Sequence, residues 1–516
     1  MLGADHVSAV SPAEPVKLIN RSKDYGNFAP FFIKAGPASH LVLRDPAHFE
    51  RILSILDPIA AELEAYDKIF GMPEAALSLY SGKCATESEL NAMLSGHKNL
   101  RTTRLTGAYL TAFAEKYVSI LSGNLHDKMF QAGTWTQIED TWSFLEQVIT
   151  RCALEAHFGS DLFKQYPSVV RDLRRYEEAI GDYLPGMPRF MVPSSVAETR
   201  DRLLQGIEKW LNVNHSGSDF AKIEANDPEW DAFMGSKFVQ DRDHVLATIQ
   251  VVDLKARAAE MLRLMHGYVH RLPIWRQRTD VVTRSSACLI PLTFWTLAEV
   301  LRRPSLTKSL VGSIDRYRPS QGGSYNITEI SDLELLRSVE TEIQRLRMAP
   351  VAVLKCEGFP TRLDDHEQWT MPRLTWAVLC SREISLNAKV WAKSQPQIVQ
   401  KPLEEFWAER FVSHKARNKS GSGQPPNGDE APSDLHTLEA LNRRIAHYQH
   451  NVMGPEYMRA MYAATLAVLL SQFEFQLCDP EGFDAAIPPA RAIAYGTIKP
   501  LGNVAMRLKK RTAAGR

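Results

Sequence analysis

In this chain of 516 residues, side chains able to do chemistry gather in a few short stretches. Within HYQHNVMG stand His447, Tyr448 and His450. Imidazole and phenolate groups both ligate iron elsewhere, although a lone histidine more often fills a loop or meets solvent. Arg284, Ser285 and Cys288 recur at i, i+1 and i+4, which places them on one face of a helix. There a guanidinium and a hydroxyl could donate hydrogen bonds to a carbonyl, or Arg284 could simply be the ion-paired start of that helix. The run Asp364, Asp365, His366, Glu367 sets carboxylates side by side, which suggests a metal, but a solvated turn is the expectation. There is no nucleophile elbow, P-loop, H-E-x-x-H or dinucleotide fingerprint.

Composition narrows the classes further. A formal net charge of +1 gives no electrostatic case for nucleic acid. The one basic cluster, Arg507 to Arg511, reads as a solvated C-terminal tail. Six scattered cysteines without C-x-x-C spacing read as buried, reduced thiols of a cytoplasmic protein, and no metal site is expected. Residues 1–24 are too polar for a signal peptide or a membrane anchor and read as an N-terminal extension.

The elements that must position these groups are mostly helices. APFFIKAG and SHLVLRD, joined through Gly36-Pro37, read as a hairpin, and helical periodicity follows from Asp45 onward. Residues 281–303 are the most apolar helix candidate, with Pro291 inside it, where an internal proline demands a kink or local compensation. Short strands are expected within 349–392, a disordered insertion at 418–434, an amphipathic helix at 455–473 and a strand-like C-terminal end.

Four separated stretches resemble the cytochrome P-450 superfamily. Glu342-Ile343-Gln344-Arg345 is similar to its E-x-x-R helix, and Phe406-Trp407-Ala408-Glu409-Arg410-Phe411 to its P-E-R-F segment, with alanine for proline. SSACLIPLTFWTLAEVLRRP resembles the central helix of the branch containing prostacyclin synthase, sterol 7-alpha-hydroxylases and fungal biosynthetic enzymes. MGPEYMRAMYAATLAVLLSQFEFQL resembles the helix after the haem-ligand cysteine. The resemblance implies a single large P-450 domain over 25–516, mainly α with small β-sheets. It also implies a structural triad of Glu342, Arg345 and Arg410.

In that register the haem-ligand cysteine falls on Val452, which cannot bind iron, and Ile445, Ala446, His447 and Tyr448 replace the glycine-rich turn before it. The family's acid-or-amide and threonine pair, which relays protons to bound oxygen, falls on Cys288 and Leu289. The strand arginine that pairs with a haem propionate falls on Lys355, and His450 stands where a propionate-binding residue is common. The resulting expectation is an enzyme with no cofactor and no redox partner. It would promote a non-oxidative cyclisation, rearrangement or isomerisation of a lipophilic terpenoid or polyketide in fungal secondary metabolism. Arg284, Ser285 and Lys355 would be its candidate catalytic donors, and Cys288, Leu289 and Leu292 would join them in binding substrate. Two alternatives stand beside it: a haem monooxygenase with His447, Tyr448 or His450 as axial ligand, and a non-catalytic binding or scaffold protein.

Overall fold

The computed structural model of the chain describes residues 7–9, 31–35, 38–43, 70–80, 99–100, 103–125, 130, 132–179, 194–215, 228–269, 289–318, 324–349, 351–356, 360–362, 368–370, 375–380, 385–388, 391–392, 396–412, 454–488, 496–497 and 499–511. Helix dominates. The helices that frame the interior are α1 (Gly107–Leu125), α2 (Thr141–Phe158), α3 (Val169–Ala179), α4 (Ser194–Asn214), α5 (Leu254–Val269), α6 (Leu289–Leu301), α7 (Glu334–Arg347) and α8 (Gly454–Gln472). Among the described residues, no helix is long and apolar enough to cross a membrane.

Local chemistry explains several boundaries. Asp140 caps α2 by accepting a hydrogen bond from the Ser143 N–H at 3.0 Å. The helix stops at Gly159, whose φ of 79° lies where side chains other than glycine are strained. Every residue of α6 from Leu289 to Val300 is buried, so this helix is apolar all round and forms the middle of the core. Pro291 lies in the first turn of its described part, where the missing N–H would have bonded to residue 287, so no hydrogen bond within the described helix is lost.

The strands of the two larger sheets are β1 (Val7–Ala9), β2 (Phe31–Ala35), β3 (Ala38–Leu43), β4 (Thr136–Ile138), β5 (Val351–Cys356), β6 (Thr375–Cys380), β7 (Phe473–Leu477) and β8 (Met506–Lys510). One sheet runs in the order β1-β2-β3-β6-β5. Its β2–β3 pair is antiparallel with Ala35 opposite Ala38, so Gly36-Pro37 make the hairpin connection. β1, inside the stretch read as an extension, pairs parallel with β2 and belongs to the same sheet.

The C-terminal basic cluster is not a solvated tail. β8 lies between β7 and β4 in an antiparallel sheet, burying Met506 and Leu508 while Arg507 and Lys509 face outward. Arg507 donates twice to Gln476 Oε1, at 2.6 and 2.9 Å, and Lys509 pairs with Glu474 at 2.9 Å. Both cations also lie over the Trp135 ring. Period-two alternation, with apolar residues inward, is what makes a strand of this charged run. Of the cysteines described by their side chains, Cys152 is buried as expected, but Cys478 is exposed.

Candidate functional site

The strongest constellation is a buried charge cage built around α7. The spacing of Glu342 and Arg345 puts them on one helical face, and Arg345 bonds Glu342 in bidentate fashion at 2.8 and 2.9 Å. Arg410 adds a bond to Glu342 Oε1 at 3.0 Å, as does the Trp407 N–H. Glu342, Arg345 and Arg410 are all but completely buried. Their remaining donors are satisfied by backbone: Arg345 reaches the Leu403 carbonyl at 2.6 Å, and Arg410 reaches those of Ile398, Lys401, Pro402 and Glu405. Burial lowers the Arg410 pKa while Glu342 opposes the shift, which is the balance expected of a paired buried cation. Ser338 completes the stitching, donating to the Ala408 carbonyl at 2.5 Å and accepting from the Phe411 N–H at 3.0 Å. The cage therefore clamps segment 398–411 onto α7.

Described structure resumes with α8 at Gly454. In the first turns of α8 the Tyr457 hydroxyl meets His157 Nε2 of α2 at 2.7 Å, with Phe113 stacked on the imidazole at 4.3 Å. Burial depresses the His157 pKa well below its ordinary value, so the ring is neutral. One turn on, Tyr462 and Thr296 of α6 share a hydrogen bond at 2.7 Å, and Thr465 meets Tyr117 of α1 at 3.0 Å. Three buried hydroxyl contacts thus lock α8 to α2, α6 and α1.

The C-terminal end of α6 joins the cage helix through Glu299, which bonds Arg347 of α7 at 2.5 Å and Arg303 at 2.8 Å. Trp295 lies under the Arg347 guanidinium at 4.7 Å. Elsewhere in the interior, Glu260 pairs with Arg242 and Arg263, and Asp243 with His215 and Arg257. Glu177 of α3 meets His266 of α5 at 3.0 Å. Burial raises the Glu177 pKa well above its ordinary value and lowers that of His266 to about 3.

Of the residues singled out in the sequence, Glu342, Arg345 and Arg410 are in direct contact, and Leu289 and Leu292 are buried on α6. Lys355 is on β5 opposite Trp376 of β6. Arg284, Ser285, Cys288, Asp364 to Glu367, His447, Tyr448, His450 and Val452 lie outside the described residues, as does 418–434. Sequence reasoning missed the tyrosines of α8 and their partners, since nothing local links Tyr457 to His157 or Tyr462 to Thr296. Glu299 with Arg303, and Glu260 with Arg263, carried a usable signal in their i, i+4 and i, i+3 spacing.

No family model matches the chain. Two curated relatives do: cytochrome P450 monooxygenase fsoE of Humicola fuscoatra and cytochrome P450 monooxygenase efuG of Hormonema carpetanum. The first is 24% identical over 88% of this chain and 76% of the relative. The second is 22% identical over 96% and 86%. A crystal structure of a cytochrome P450 superposes with a TM-score of 0.61 at 14% identity, covering 96% of this chain and 94% of that one.

These similarities overturn the expectation of a protein without a cofactor, because both relatives are named as cytochromes, which are haem proteins. In the register of the resemblance the ligand position carries Val452 and no cysteine stands near it. No cysteine lies between Cys380 and Cys478, so the donors that precede α8 are the nitrogen and oxygen atoms of His447, Tyr448 and His450, and both kinds of atom ligate haem iron. The cage on one side and the α8 hydroxyl contacts on the other anchor the described residues that flank them. Helical architecture, small sheets and similarity along nearly the whole length agree: the chain has the cytochrome P450 fold and is similar to two fungal cytochrome P450 monooxygenases.

Proposed function

We propose that this protein is a haem-dependent enzyme of a fungal biosynthetic pathway that oxidises a lipophilic small molecule, with its iron held by His447, Tyr448 or His450. The observation that carries this reading is similarity to two fungal cytochrome P450 monooxygenases over 88% and 96% of the chain. Bound haem would supply reductive activation of dioxygen: with two electrons from a donor and two protons, one oxygen atom would enter a C–H bond and the other would leave as water. An electron-donating partner is therefore part of this reading. The chain's own residues do the rest. The largely apolar α6 supplies a wall that excludes water, and Arg284, Ser285 and Lys355 are the proposed donors that orient the substrate. An imidazole or phenolate ligand is less electron-donating than a thiolate, so its assistance to O–O cleavage is weaker.

The test is absorbance of the protein purified from cells supplied with haem precursor. A Soret band is expected, and one of His447→Ala, Tyr448→Phe and His450→Ala is expected to abolish or displace it, while the other two leave it in place. A colourless wild-type protein would sink the reading, and a band indifferent to all three substitutions would sink the ligand assignment. A second reading, isomerisation or cyclisation of the same class of substrate, is favoured by Leu289 standing where the superfamily has its relay threonine. Product mass separates the two: oxidation adds the mass of one oxygen atom, and isomerisation adds nothing.

A further inference from the structure

Between the helix Pro304–Asp315 and β7 runs an open cleft of about 870 Å³, within the roughly 300–1,000 Å³ of ligand-binding clefts. β7 is an edge strand, paired on one side with β8 and on the other with no strand among the described residues. Which of its backbone groups face the open side follows from the ladder. The Cys478 N–H bonds the Ala505 carbonyl at 3.1 Å, and the Arg511 N–H bonds the Gln472 carbonyl at 2.8 Å. The even-numbered residues from 472 to 478 therefore direct their main-chain groups at β8 and its continuation, and in an antiparallel ladder the residues between them point theirs the other way. Those of Phe473, Phe475 and Leu477 face the open edge. The Phe473 carbonyl accepts from Arg511 Nε at 3.1 Å. The N–H and C=O groups of Phe475 and Leu477 have no partner on that side among the described residues, and both residues line the cleft.

Ion pairs fix the two walls relative to each other. Asp315, at the end of the helix, pairs with Arg511 at 3.5 Å, and Arg302, just ahead of the helix, pairs with Asp484 of the short helix Pro480–Ala486. Lys308 on one wall and Glu481 on the other line the same cleft, and neither side chain has a partner among the described residues. The helix of 12 residues spans about 18 Å, the length of about five or six residues of extended chain. We propose that this cleft docks an extended peptide segment of a partner protein, added as a fourth strand along the open edge of β7. A carboxylate of the peptide would meet Lys308, and a cationic side chain would meet Glu481. Main-chain bonds to Phe475 and Leu477 supply affinity, and the two charges and the apolar Val311 supply selectivity. An apolar small molecule in the same space would leave the edge N–H and C=O groups unmatched.

The full-length chain is titrated, with fluorescence anisotropy as the readout, into a fluorescein-labelled hexapeptide of alternating valine and threonine in which one threonine is replaced by aspartate and another by lysine. Binding is expected, and N-methylation of alternate peptide amides supplies the signature of an added strand. Methylating the set that faces β7 should weaken binding about tenfold or more, while methylating the other set leaves it unchanged. Lys308 is exposed, so Lys308→Glu should melt with wild type and weaken binding about fivefold; a peptide with lysine in place of its aspartate should restore it. Two methylated peptides that bind alike overturn the inference, because apolar burial alone would then account for the complex. A Lys308→Glu variant that binds as wild type does overturns it by placing the peptide elsewhere, and so does a wild type that leaves the anisotropy unchanged. A chain that is dimeric by light scattering, and that the peptide converts to monomer, overturns the partner by making the occupant a second copy.

Discussion

Glu342→Ala is expected to destabilise the protein by about 4 kcal/mol, the range measured for removing one member of a buried ion pair. Domains are held by about 5–15 kcal/mol in total, so little of the folded state would survive. The substitution leaves the Arg345 and Arg410 guanidinium groups facing one another without the carboxylate between them, in a site with no solvent exposure. The Trp407 N–H loses its acceptor as well. Segment 398–411 would come away from α7, and with it the clamp preceding the proposed iron ligands. Urea unfolding of wild type, Glu342→Ala and Glu342→Gln measures the effect, with glutamine intermediate because it keeps the shape but not the charge. An alanine variant with the wild-type midpoint would show that the cage contributes nothing to stability.

Glu340→Gln is expected to act in the opposite direction, by an amount that grows as pH rises from 4.5 to about 7. Glu340 sits on α7 with the Arg337 and Arg459 charges and Tyr462 nearby, and it accepts a bond from Gln344 at 3.1 Å. Burial raises its pKa from 4.5 to about 7. Below 4.5 the acid is protonated in both folded and unfolded chains, so it exerts no pH-dependent effect. As pH rises from there toward 7, the unfolded chain releases a proton that the folded chain retains, and stability falls. Above 7 the full cost is in place, about 3 kcal/mol from the size of the shift. Glutamine mimics the protonated acid at every pH. The variant should therefore match wild type near pH 4 and exceed it by up to that amount near pH 8. Denaturation midpoints that stay parallel across this range would rule the mechanism out.

The two substitutions lie two residues apart on α7. Glu342 has two guanidinium groups within bonding distance, whereas Glu340 has an amide. Same-residue chemistry thus has opposite consequences, decided by which neighbours the fold delivers. In the string ETEIQR only Glu342 has an arginine at i+3; the second guanidinium, from Arg410, comes from the fold.

Local order in the chain determined a good deal. The two-residue hairpin connection, the buried helix beginning at Leu289, the closing helix at Gly454–Gln472 and the E-x-x-R spacing all depend on near neighbours, whose periodicity is written in the residues themselves. So did the resemblance to the cytochrome P-450 superfamily, because its motifs keep their order. What required the tertiary structure were contacts between residues 48 to 300 positions apart: Arg347 with Glu299, Tyr462 with Thr296, Tyr457 with His157. The same holds for the burial that neutralises His157 and raises Glu340, and for the conversion of a basic tail into the middle strand of a sheet. The physical reason is that a side chain's type sets what it can bond, while its partner, its solvation and hence its charge exist only once distant faces are packed together.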